Sequence, residues 1–439
     1  MVDLVGSKTL EEGRLKALGK EKKAFLVSFY SSSKEKPSCN EHLEELEALA
    51  DTYGMKVFGK IACPLRKIEA ATFIGKGKVQ EIFEETQQLG IDIIIFDTEM
   101  SPHQQRNLEK ACKCIVIDRT ELILGVFAIH ARTKEAKIQI NLAMYKYQLP
   151  RLRRLWTHLG RQRVGGKSGG FLKGEGERQI EIDRRILKSK IAQLQKELLE
   201  IKKQRQLQRS SRQRRKIPSF AIIGYTNSGK STLLNALTKA DVLVENKLFA
   251  TLDTTTRQYT LPNNQKILLI DTVGFIRKLP HNLIAAFKST LEEVLYTDIL
   301  LHLIDVSNPT AREQAKATYK VLEELNAEKR PIITCLNKID LCSDKKVLTY
   351  FRIKYPKIVK ISALKKIGFD DLMKKMKKEV SNLRKVFYLK VPQSHFTLVS
   401  ELMKEGKVYQ CDYKENDILL DIEVPAYLEK KVQPFLIRK

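Results

Sequence analysis

The chain has no long apolar run that would place it across a membrane. Its 439 residues contain no uninterrupted apolar stretch near the roughly 20 residues that a bilayer-spanning helix needs. The first twenty residues, MVDLVGSKTLEEGRLKALGK, contain no apolar segment of the secretory-signal kind. We therefore expect a cytoplasmic protein without stable membrane insertion, and a partial association with the membrane stays open.

Cysteine is scarce, and its spacing does not indicate a metal site. The seven cysteines are odd in number and scattered, and only Cys112 and Cys114 lie close together. A C-x-C sequence would need a second pair of ligands to hold zinc. We expect reduced thiols that mostly serve packing, and a metal site is the less favoured alternative.

The length and the order of sequence patterns predict a multidomain α/β protein. A chain of 439 residues is too long for one ordinary core. Strand-like and helix-like segments alternate over residues 1–130, and IDIIIFD (91–97) is apolar throughout, as in a strand buried on both faces. An open α/β domain is predicted there. The segment 381–439 alternates again and is predicted to form a small α+β unit.

Two amphipathic helices follow the first domain. The first, within 131–149, has apolar residues at spacings of 4, 3 and 4 and ends before Pro150. The second, within 180–204, has an apolar stripe at mostly three- and four-residue spacing. A long antiparallel hairpin over 131–216, with the glycine-rich loop 156–178 at its tip, is therefore predicted. The two stripes are Ala136, Ile140, Ala143 and Tyr147, and Ile180, Leu187, Ile191, Leu194, Leu198 and Ile201.

The hairpin carries most of the excess positive charge. Between Arg151 and Lys216 there are 21 Lys or Arg against six Asp or Glu, so that +15 of the net charge of +27 lies in 66 residues. Such a block favours a polyanionic partner. A solvated helix face would explain the charge alone. The basic, flexible tip on a stiff arm favours contact with RNA over a merely solvated helix face.

A phosphate-binding loop opens the third predicted domain, 217–380. In SFAIIGYTNSGKSTLLNAL (219–237), G-x-x-x-x-G-K-S lies between an apolar strand and an amphipathic helix, which is the context of a P-loop. Backbone N–H groups at the helix N-terminus hold phosphates there, Lys230 would bridge the β- and γ-phosphates, and Ser231 would bind Mg²⁺. A chance glycine-rich turn is much less favoured. The predicted binding residues are Gly224, Tyr225, Thr226, Asn227, Ser228, Gly229, Lys230 and Ser231.

Two further segments are expected to reach the γ-phosphate and its Mg²⁺. A buried strand in QKILLIDTVG (265–274) ends at Asp271, which would hold Mg²⁺ through water, and Gly274 can offer its N–H to the γ-phosphate. In FATLDTTTR (249–257) we choose Thr251 as the threonine that closes over both. Thr254–Thr256 stay open as alternatives, as does a strand-edge role for all four threonines. The predicted nucleotide-lining residues here are Phe249, Ala250, Thr251, Leu252, Asp253, Asp271, Thr272, Val273 and Gly274. The predicted metal ligands are Ser231, Thr251 and Asp271, and the predicted catalytic residues are Lys230, Thr251 and Gly274.

The choice of base follows from N-K-x-D at the end of PIITCLNKID (331–340). The Asp340 carboxylate can accept two N–H bonds from guanine, a donor pair that adenine lacks, while Asn337 can bond the N7 side and the Lys338 stem can lie along the base. A four-residue motif alone is weak evidence for guanine binding, but the order of this motif after the P-loop and D-T-V-G is specific. The residues predicted to line the base are Asn337, Lys338, Ile339, Asp340, Ser362, Ala363 and Leu364.

Phe275 follows Gly274 at a position where many phosphate-cleaving switch proteins have a glutamine that orients the attacking water. A phenylalanine side chain has no group that can polarise water. We therefore expect slow intrinsic GTP hydrolysis that depends on a partner to position the water.

These motifs resemble the translation-factor-like GTPases, and within them the HflX family. GYTNSGKSTLLNAL, LFATLDTTTR, DTVGFIRKLP and NKID carry the GTPase likeness, while IDRTELILGVFAIHART, LPRL and GEGERQIEIDRR carry the family-specific likeness. The resemblance implies a Mg²⁺-dependent GTPase that binds the large (50S) ribosomal subunit and its rRNA and splits stalled or idle ribosomes. It also implies an ATP-binding N-terminal region, for which Gly75-Lys76-Gly77 is the one candidate loop.

Two other functions stay open at this stage. One is a ribosome-assembly or RNA-modification GTPase, which would also be basic and contain a P-loop. The other is an ATP-driven RNA remodeller that the GTPase domain regulates. We expect a monomer, and we assign no role to residues 381–439.

Overall fold

The computed structural model places the chain in four consecutive parts. Most of the predicted loop 156–178 lies outside the residues that it describes. Those residues are 22–152, 173–215, 217–238, 248–249, 254–262, 265–278, 295–327, 329–381, 384–414, 416–425 and 428–437.

The N-terminal part is a parallel sheet covered by helices. Its elements are β1 (Lys23–Tyr30), α1 (Lys36–Tyr53), β2 (Lys56–Pro64), α2 (Lys76–Gln88), β3 (Ile93–Phe96), α3 (Pro102–Cys112) and β4 (Ile115–Asp118). The four strands pair in the order β2-β1-β3-β4, all parallel. Local sequence sets the helix ends: Ser101 and Gln104 form a capping box at α3, and Gly54 ends α1 in the left-handed conformation, with φ of 97°. The predicted α/β fold is confirmed.

One buried helix of this part has no counterpart among the predicted elements. Helix α4 (Arg119–His130) follows β4 directly, and the Asp118 carboxylate caps it by accepting the Glu121 N–H at 2.9 Å. Its sequence, RTELILGVFAIH, is apolar on nearly all sides, because the helix is enclosed by the sheet, by α1 and by the rest of the core. An all-round apolar helix has no period that distinguishes it from a strand.

The predicted antiparallel hairpin is present. Helices α5 (Lys134–Gln148) and α6 (Lys173–Arg215) pack together, and Tyr145, Leu152 and Leu187 form the centre of their shared core. Leu152, just past α5, shares this core with Leu187, and the Lys190 ammonium of α6 lies over the ring of Tyr145 in α5. The members of the predicted α6 stripe are buried or half-buried.

Arg151 fixes the base of the hairpin to the N-terminal sheet. Its buried guanidinium donates to the Met100 carbonyl at 2.7 Å and to the Tyr147 carbonyl at 3.1 Å. It also lies 3.6 Å from the centre of the Tyr147 ring and 3.4 Å from the Asp118 carboxylate. This explains the LPRL sequence in structural terms, since the arginine joins the hairpin to the strand end at Asp118.

The third part is a six-stranded sheet with helices on both faces. Its elements are β5 (Ser219–Gly224), α7 (Lys230–Thr238), β6 (Thr255–Thr260), β7 (Lys266–Asp271), β8 (Ile299–Asp305), α8 (Ala311–Glu324), β9 (Ile332–Asn337), α9 (Lys345–Lys354), β10 (Ile358–Lys360) and α10 (Phe369–Ser381). The strand order is β10-β9-β8-β5-β7-β6, and β6 is the antiparallel edge. Along β5, Phe220 and Ile222 enter one core while Ala221 and Ile223 enter the other.

The C-terminal part is a small antiparallel sheet with one helix against it. Its elements are β11 (Arg384–Pro392), α11 (Phe396–Glu405), β12 (Lys407–Lys414), β13 (Asp417–Pro425) and the short α12 (Glu429–Val432). The strands pair in the order β11-β13-β12. Phe387, Leu389 and Val391 of β11 face a core that α11 covers.

The N-terminal part and the P-loop part share one apolar core. Phe127 of α4 packs edge-on against Phe249, with ring centres 4.5 Å apart, and the Leu248 N–H donates to the Thr52 hydroxyl at 3.3 Å. Among the helices of the described ranges, none combines the length and apolar character of a bilayer-spanning segment.

Candidate nucleotide-binding and hydrolysis site

The phosphate-binding loop joins the end of β5 to the start of α7. Asn227 has a φ of 59° and Gly229 a φ of 91°, so the chain turns sharply before Lys230. A Cβ at Gly229 would lie 2.4 Å from the Asn337 side-chain nitrogen. Only glycine fits there, because the loop passes directly against the segment expected to bind the base.

Lys230 lies at the floor of the loop, next to Gly274. Its Nζ donates to the Tyr225 carbonyl at 2.8 Å, and it lies 2.9 Å from the position that a Cβ of Gly274 would take. Burial lowers the Lys230 pKa to about 8, and the charge of Asp271 opposes that shift. The structure thus brings together two of the three predicted catalytic residues, and the absence of a side chain at Gly274 leaves room for the ammonium.

Ser231 and Asp271 form a buried pair at the end of β7. The Ser231 hydroxyl donates to Asp271 Oδ2 at 2.5 Å. Burial raises the pKa of Asp271, against the lowering effects of Lys230 and the Ser231 bond. Within the described residues, Asp271 Oδ1 has no hydrogen-bond partner. A hydroxyl beside a carboxylate with an unpaired oxygen is an oxygen donor set that fits Mg²⁺.

Two buried hydroxyls in the phosphate-binding loop are also unsatisfied. Thr226 Oγ1 and Ser228 Oγ have no hydrogen-bond partner in the described parts of the chain. Buried polar groups are nearly always paired in proteins. Together with Asp271 Oδ1, they place three unpaired oxygens in one region, where a polar ligand could supply the missing partners.

The base-binding motif is held against the phosphate-binding loop by Asn337. Its Nδ2 donates to the Ser228 carbonyl at 2.8 Å, and its Oδ1 accepts the Ala363 N–H at 2.9 Å. Asn337 therefore joins the loop to the segment 362–364. In this arrangement the Ser362 N–H is donated to the Ile367 carbonyl, so both N–H groups predicted to meet guanine are engaged within the protein.

Asp340, the last residue of N-K-x-D, interacts with Ser362 and Lys365. Its pKa is lowered by bonding to the Ser362 hydroxyl and then by Lys365, whose ammonium lies 3.3 Å from the carboxylate. Asp340 is thus an anion, as acceptance of two N–H groups requires. Lys338 forms an ion pair with Asp305, with its ammonium 2.6 Å from the carboxylate. Leu364 is largely exposed.

Four side chains predicted to line the nucleotide point elsewhere. The Tyr225 hydroxyl bonds Glu45 of α1, and the Thr272 hydroxyl donates to the Ile222 carbonyl at 2.7 Å. Phe249 and Val273 are buried in the shared core. These residues can meet a nucleotide only through their main chains. Thr251, with Ala250, Leu252 and Asp253, lies outside the described residues.

A charged cluster between the N-terminal part and the P-loop part was missed from the sequence. Asp97, just past β3, accepts a bond from Arg119 Nη1 at 2.8 Å, and it also accepts bonds from Arg277 at 3.0 Å and Lys278 at 3.1 Å. Arg119 also pairs with Glu45. Burial alone would raise the Asp97 pKa, but the charges of Arg119, Arg277 and Lys278 outweigh it and hold the pKa at about 2. The available signals were the IDR sequence at 117–119 and the RK at 277–278.

Comparisons with known proteins agree with the geometry. Residues 40–128 match the family described as GTP-binding GTPase N-terminal, residues 130–212 the GTP-binding GTPase Middle Region, and residues 219–338 the 50S ribosome-binding GTPase. The GTPase HflX of Chlamydia pneumoniae is 46% identical over 414 residues, which cover 94% of this chain and 88% of that protein. The GTPase HflX of Escherichia coli K12 is 44% identical over 304 residues, which cover 69% and 70%.

Among solved structures, the SsGBP and GDP complex is 30% identical and covers 82% of this chain and 99% of that chain, with a TM-score of 0.46. The family identity follows from the sequence relatives, whose similarity extends over most of the chain and includes the P-loop and the segments before it. The protein is a GTPase whose substrate is a guanine nucleotide, and it belongs to the HflX family.

Proposed function

We propose that this GTPase binds the large (50S) ribosomal subunit through its basic hairpin and splits stalled or idle ribosomes into subunits. The observation that carries the proposal is the hairpin: a 43-residue helix, α6, which packs on α5 at its apolar stripe and exposes several cations in the part whose side chains are described. At 1.5 Å per residue this helix is about 65 Å long, enough to reach deep between two large particles.

The charge of the hairpin supports RNA as its partner. Arg184, Arg185, Lys188, Lys196 and Lys203 are all exposed on α6. Cations on a rigid helix can neutralise successive phosphates, and such binding weakens steeply as salt is added. The match of residues 219–338 to a family described as ribosome-binding supports the same partner.

For hydrolysis, we propose that Lys230 and the Gly274 N–H hold the γ-phosphate, and that Ser231, Asp271 and Thr251 hold Mg²⁺. When bound, Mg²⁺ would offset the charge of the β- and γ-phosphates. Lys230 is already buried beside Gly274, so little rearrangement is needed to meet a phosphate. Phe275 is fully buried in the shared core. Its side chain contributes no polar group, and we propose that a partner helps to position the attacking water.

For specificity, we propose that the Asp340 carboxylate accepts the N1 and N2 protons of guanine. Asn337 would act chiefly by keeping the segment 362–364 against the phosphate-binding loop, which is what its two hydrogen bonds do here. We propose that a main-chain N–H of Ser362–Leu364 donates to guanine O6, which for Ser362 and Ala363 requires release of the internal bond that each makes here.

The hairpin can be tested apart from the nucleotide site. Deletion of residues 160–176 should abolish ribosome splitting in a sedimentation assay, while the Kd for GDP changes by less than about twofold. The double variant Arg184→Ala/Arg185→Ala should flatten the dependence of large-subunit binding on salt by about one unit of slope per lost phosphate contact. Its matched control is Lys377→Ala/Lys378→Ala, which removes two exposed lysines from α10 and should leave the slope unchanged.

Three results would contradict this function. Splitting that survives the deletion would mean that the hairpin is not the wedge. Immature subunits that accumulate in cells lacking the protein, with no rise in stalled ribosomes, would favour an assembly role. ATP turnover that survives Asp340→Asn would favour the remodeller.

A further inference from the structure

The Tyr225 hydroxyl lies at a junction of three segments. Tyr225 is the second residue of the phosphate-binding loop, and its carbonyl accepts the Lys230 ammonium. Its side chain extends the other way, toward the N-terminal part. There the hydroxyl donates to Glu45 Oε2 at 2.6 Å and accepts the Arg277 main-chain N–H at 2.8 Å. Burial, and then the charge of Glu45, raise the pKa of Tyr225 well above its ordinary value, so the hydroxyl keeps its proton.

The segment that Tyr225 holds follows directly on Gly274. The Thr226 N–H donates to the Phe275 carbonyl at 2.8 Å, and the Phe275 N–H donates to the Gly224 carbonyl at 3.0 Å. These two bonds extend β5 and join the phosphate-binding loop to the chain after Gly274. The Tyr225 hydroxyl adds a third bond, to Arg277, and it is the one that also involves the N-terminal part.

The other side of the junction is closed by the charged cluster. Glu45 pairs with Arg119, Arg119 pairs with Asp97, and Asp97 accepts the side chain of Arg277. The main-chain N–H of Arg277 returns to Tyr225. The five residues therefore form a closed ring of hydrogen bonds and ion pairs. Arg277 is held twice, by its side chain to the N-terminal part and by its main chain to the phosphate-binding loop.

We propose that the Tyr225 hydroxyl is a positioning group for GTP hydrolysis. It fixes the main chain at Arg277, and through the short connection it fixes the Gly274 N–H against the phosphate-binding loop, with the N-terminal part as the rigid support. A phenylalanine ring would fill nearly the same space, so the hydroxyl acts by orienting the main chain at Arg277 rather than by packing. The inference rests on the proposed contact between Gly274 and the γ-phosphate, but not on any ribosomal function.

The test is Tyr225→Phe, assayed without ribosomes. At saturating GTP, kcat should fall about fivefold, the size of effect that one ordinary hydrogen bond has. The KM for GTP and the Kd for GDP should change by less than about twofold, because the hydroxyl faces away from Lys230. The matched control is Tyr355→Phe, whose buried hydroxyl has no hydrogen-bond partner among the described residues, and which should leave all three constants as in the wild type.

A second measurement keeps the inference falsifiable if basal turnover is too slow to resolve. Amide hydrogen exchange of the folded protein should be about fivefold faster at Arg277 in Tyr225→Phe and unchanged in Tyr355→Phe. An unchanged or increased kcat would overturn the positioning role, and so would a rise in KM at constant kcat or an Arg277 amide that exchanges as in the wild type. Failure of ribosome splitting would affect none of these readouts.

Discussion

Asp97 and Asp271 are both buried carboxylates at the ends of parallel strands, yet their pKa values move in opposite directions. Asp97 is surrounded by Arg119, Arg277 and Lys278, and these cations outweigh the cost of burial. For Asp271 burial is the dominant effect, and one of its oxygens has no partner among the described residues. A buried charge with complete pairing holds domains together, whereas a buried charge with incomplete pairing is suited to a ligand.

The substitution with the largest expected effect is Asp271→Asn, which tests whether this carboxylate serves a ligand rather than stability. We expect GTP hydrolysis to fall by more than about 100-fold, because the carboxylate that would hold Mg²⁺ is lost and metal charge supplies several kcal/mol of transition-state stabilisation. Folding stability should stay the same or rise slightly, because burial already disfavours the charged form of Asp271. Steady-state hydrolysis and thermal unfolding of the same preparation measure both. Activity within tenfold of the wild type would contradict the assignment.

Asp97→Asn should have the opposite pattern. Removal of one carboxylate leaves three cations around an uncharged amide, and breaking a buried ion pair costs about 3 kcal/mol of unfolding free energy. Denaturant unfolding measures the change. Asp371→Asn is the matched control, since it breaks a pair with Lys374 that is about three-quarters exposed on both sides and should cost less than about 0.5 kcal/mol. Equal stability of the two variants would refute the structural role of Asp97.

A smaller difference between Asp97 and Asp271 is expected in the pH dependence of folding stability. The folded pKa of Asp97, about 2, lies below the roughly 3.9 of an unfolded aspartate. Its stabilisation is therefore complete above pH 4 and is lost as pH falls through 4 toward 2. Between pH 5 and pH 3 the wild type should lose about 1 kcal/mol that Asp97→Asn does not lose. Asp271, with a raised folded pKa, contributes with the opposite sign. Parallel stability curves for the wild type and Asp97→Asn would show that Asp97 carries no such charge pairing.

Much of the fold could be predicted from the sequence because its strand and helix patterns repeat in a regular order. The N-terminal strands and helices alternate in the sequence as they do in the fold, and β3 (Ile93–Phe96) lies within the buried strand predicted at 91–97. Helix α4 was missed because enclosure on nearly all sides removes its amphipathic period. In the C-terminal part a small α+β unit was predicted, but nothing in the sequence marked where β11 and α11 begin, since the segment carries no recognisable motif.

The candidate site also contains some features that the sequence predicts and others that it does not. Lys230, Ser231, Asp271 and Asn337 were predicted to share one site because phosphate and base recognition require particular residues at fixed spacing, and the structure brings them close together. The orientation of Tyr225 could not be found, because its partner Glu45 lies 180 residues earlier in the chain. Contacts at such separations depend on how two domains pack, and no local pattern records that. Phe275 was singled out for the polar group it lacks, and the structure adds that its side chain is buried in the shared core.

The central proposal is that Lys230, Ser231 and Asp271 bind the phosphates and Mg²⁺ and that fast hydrolysis depends on a ribosomal partner. The most direct test is the rate of GTP hydrolysis by the purified full-length protein, measured alone and with saturating isolated large ribosomal subunits. We predict slow turnover alone and a rise of at least about tenfold with large subunits, which is absent in the 160–176 deletion. Equal rates with and without large subunits would contradict the claim.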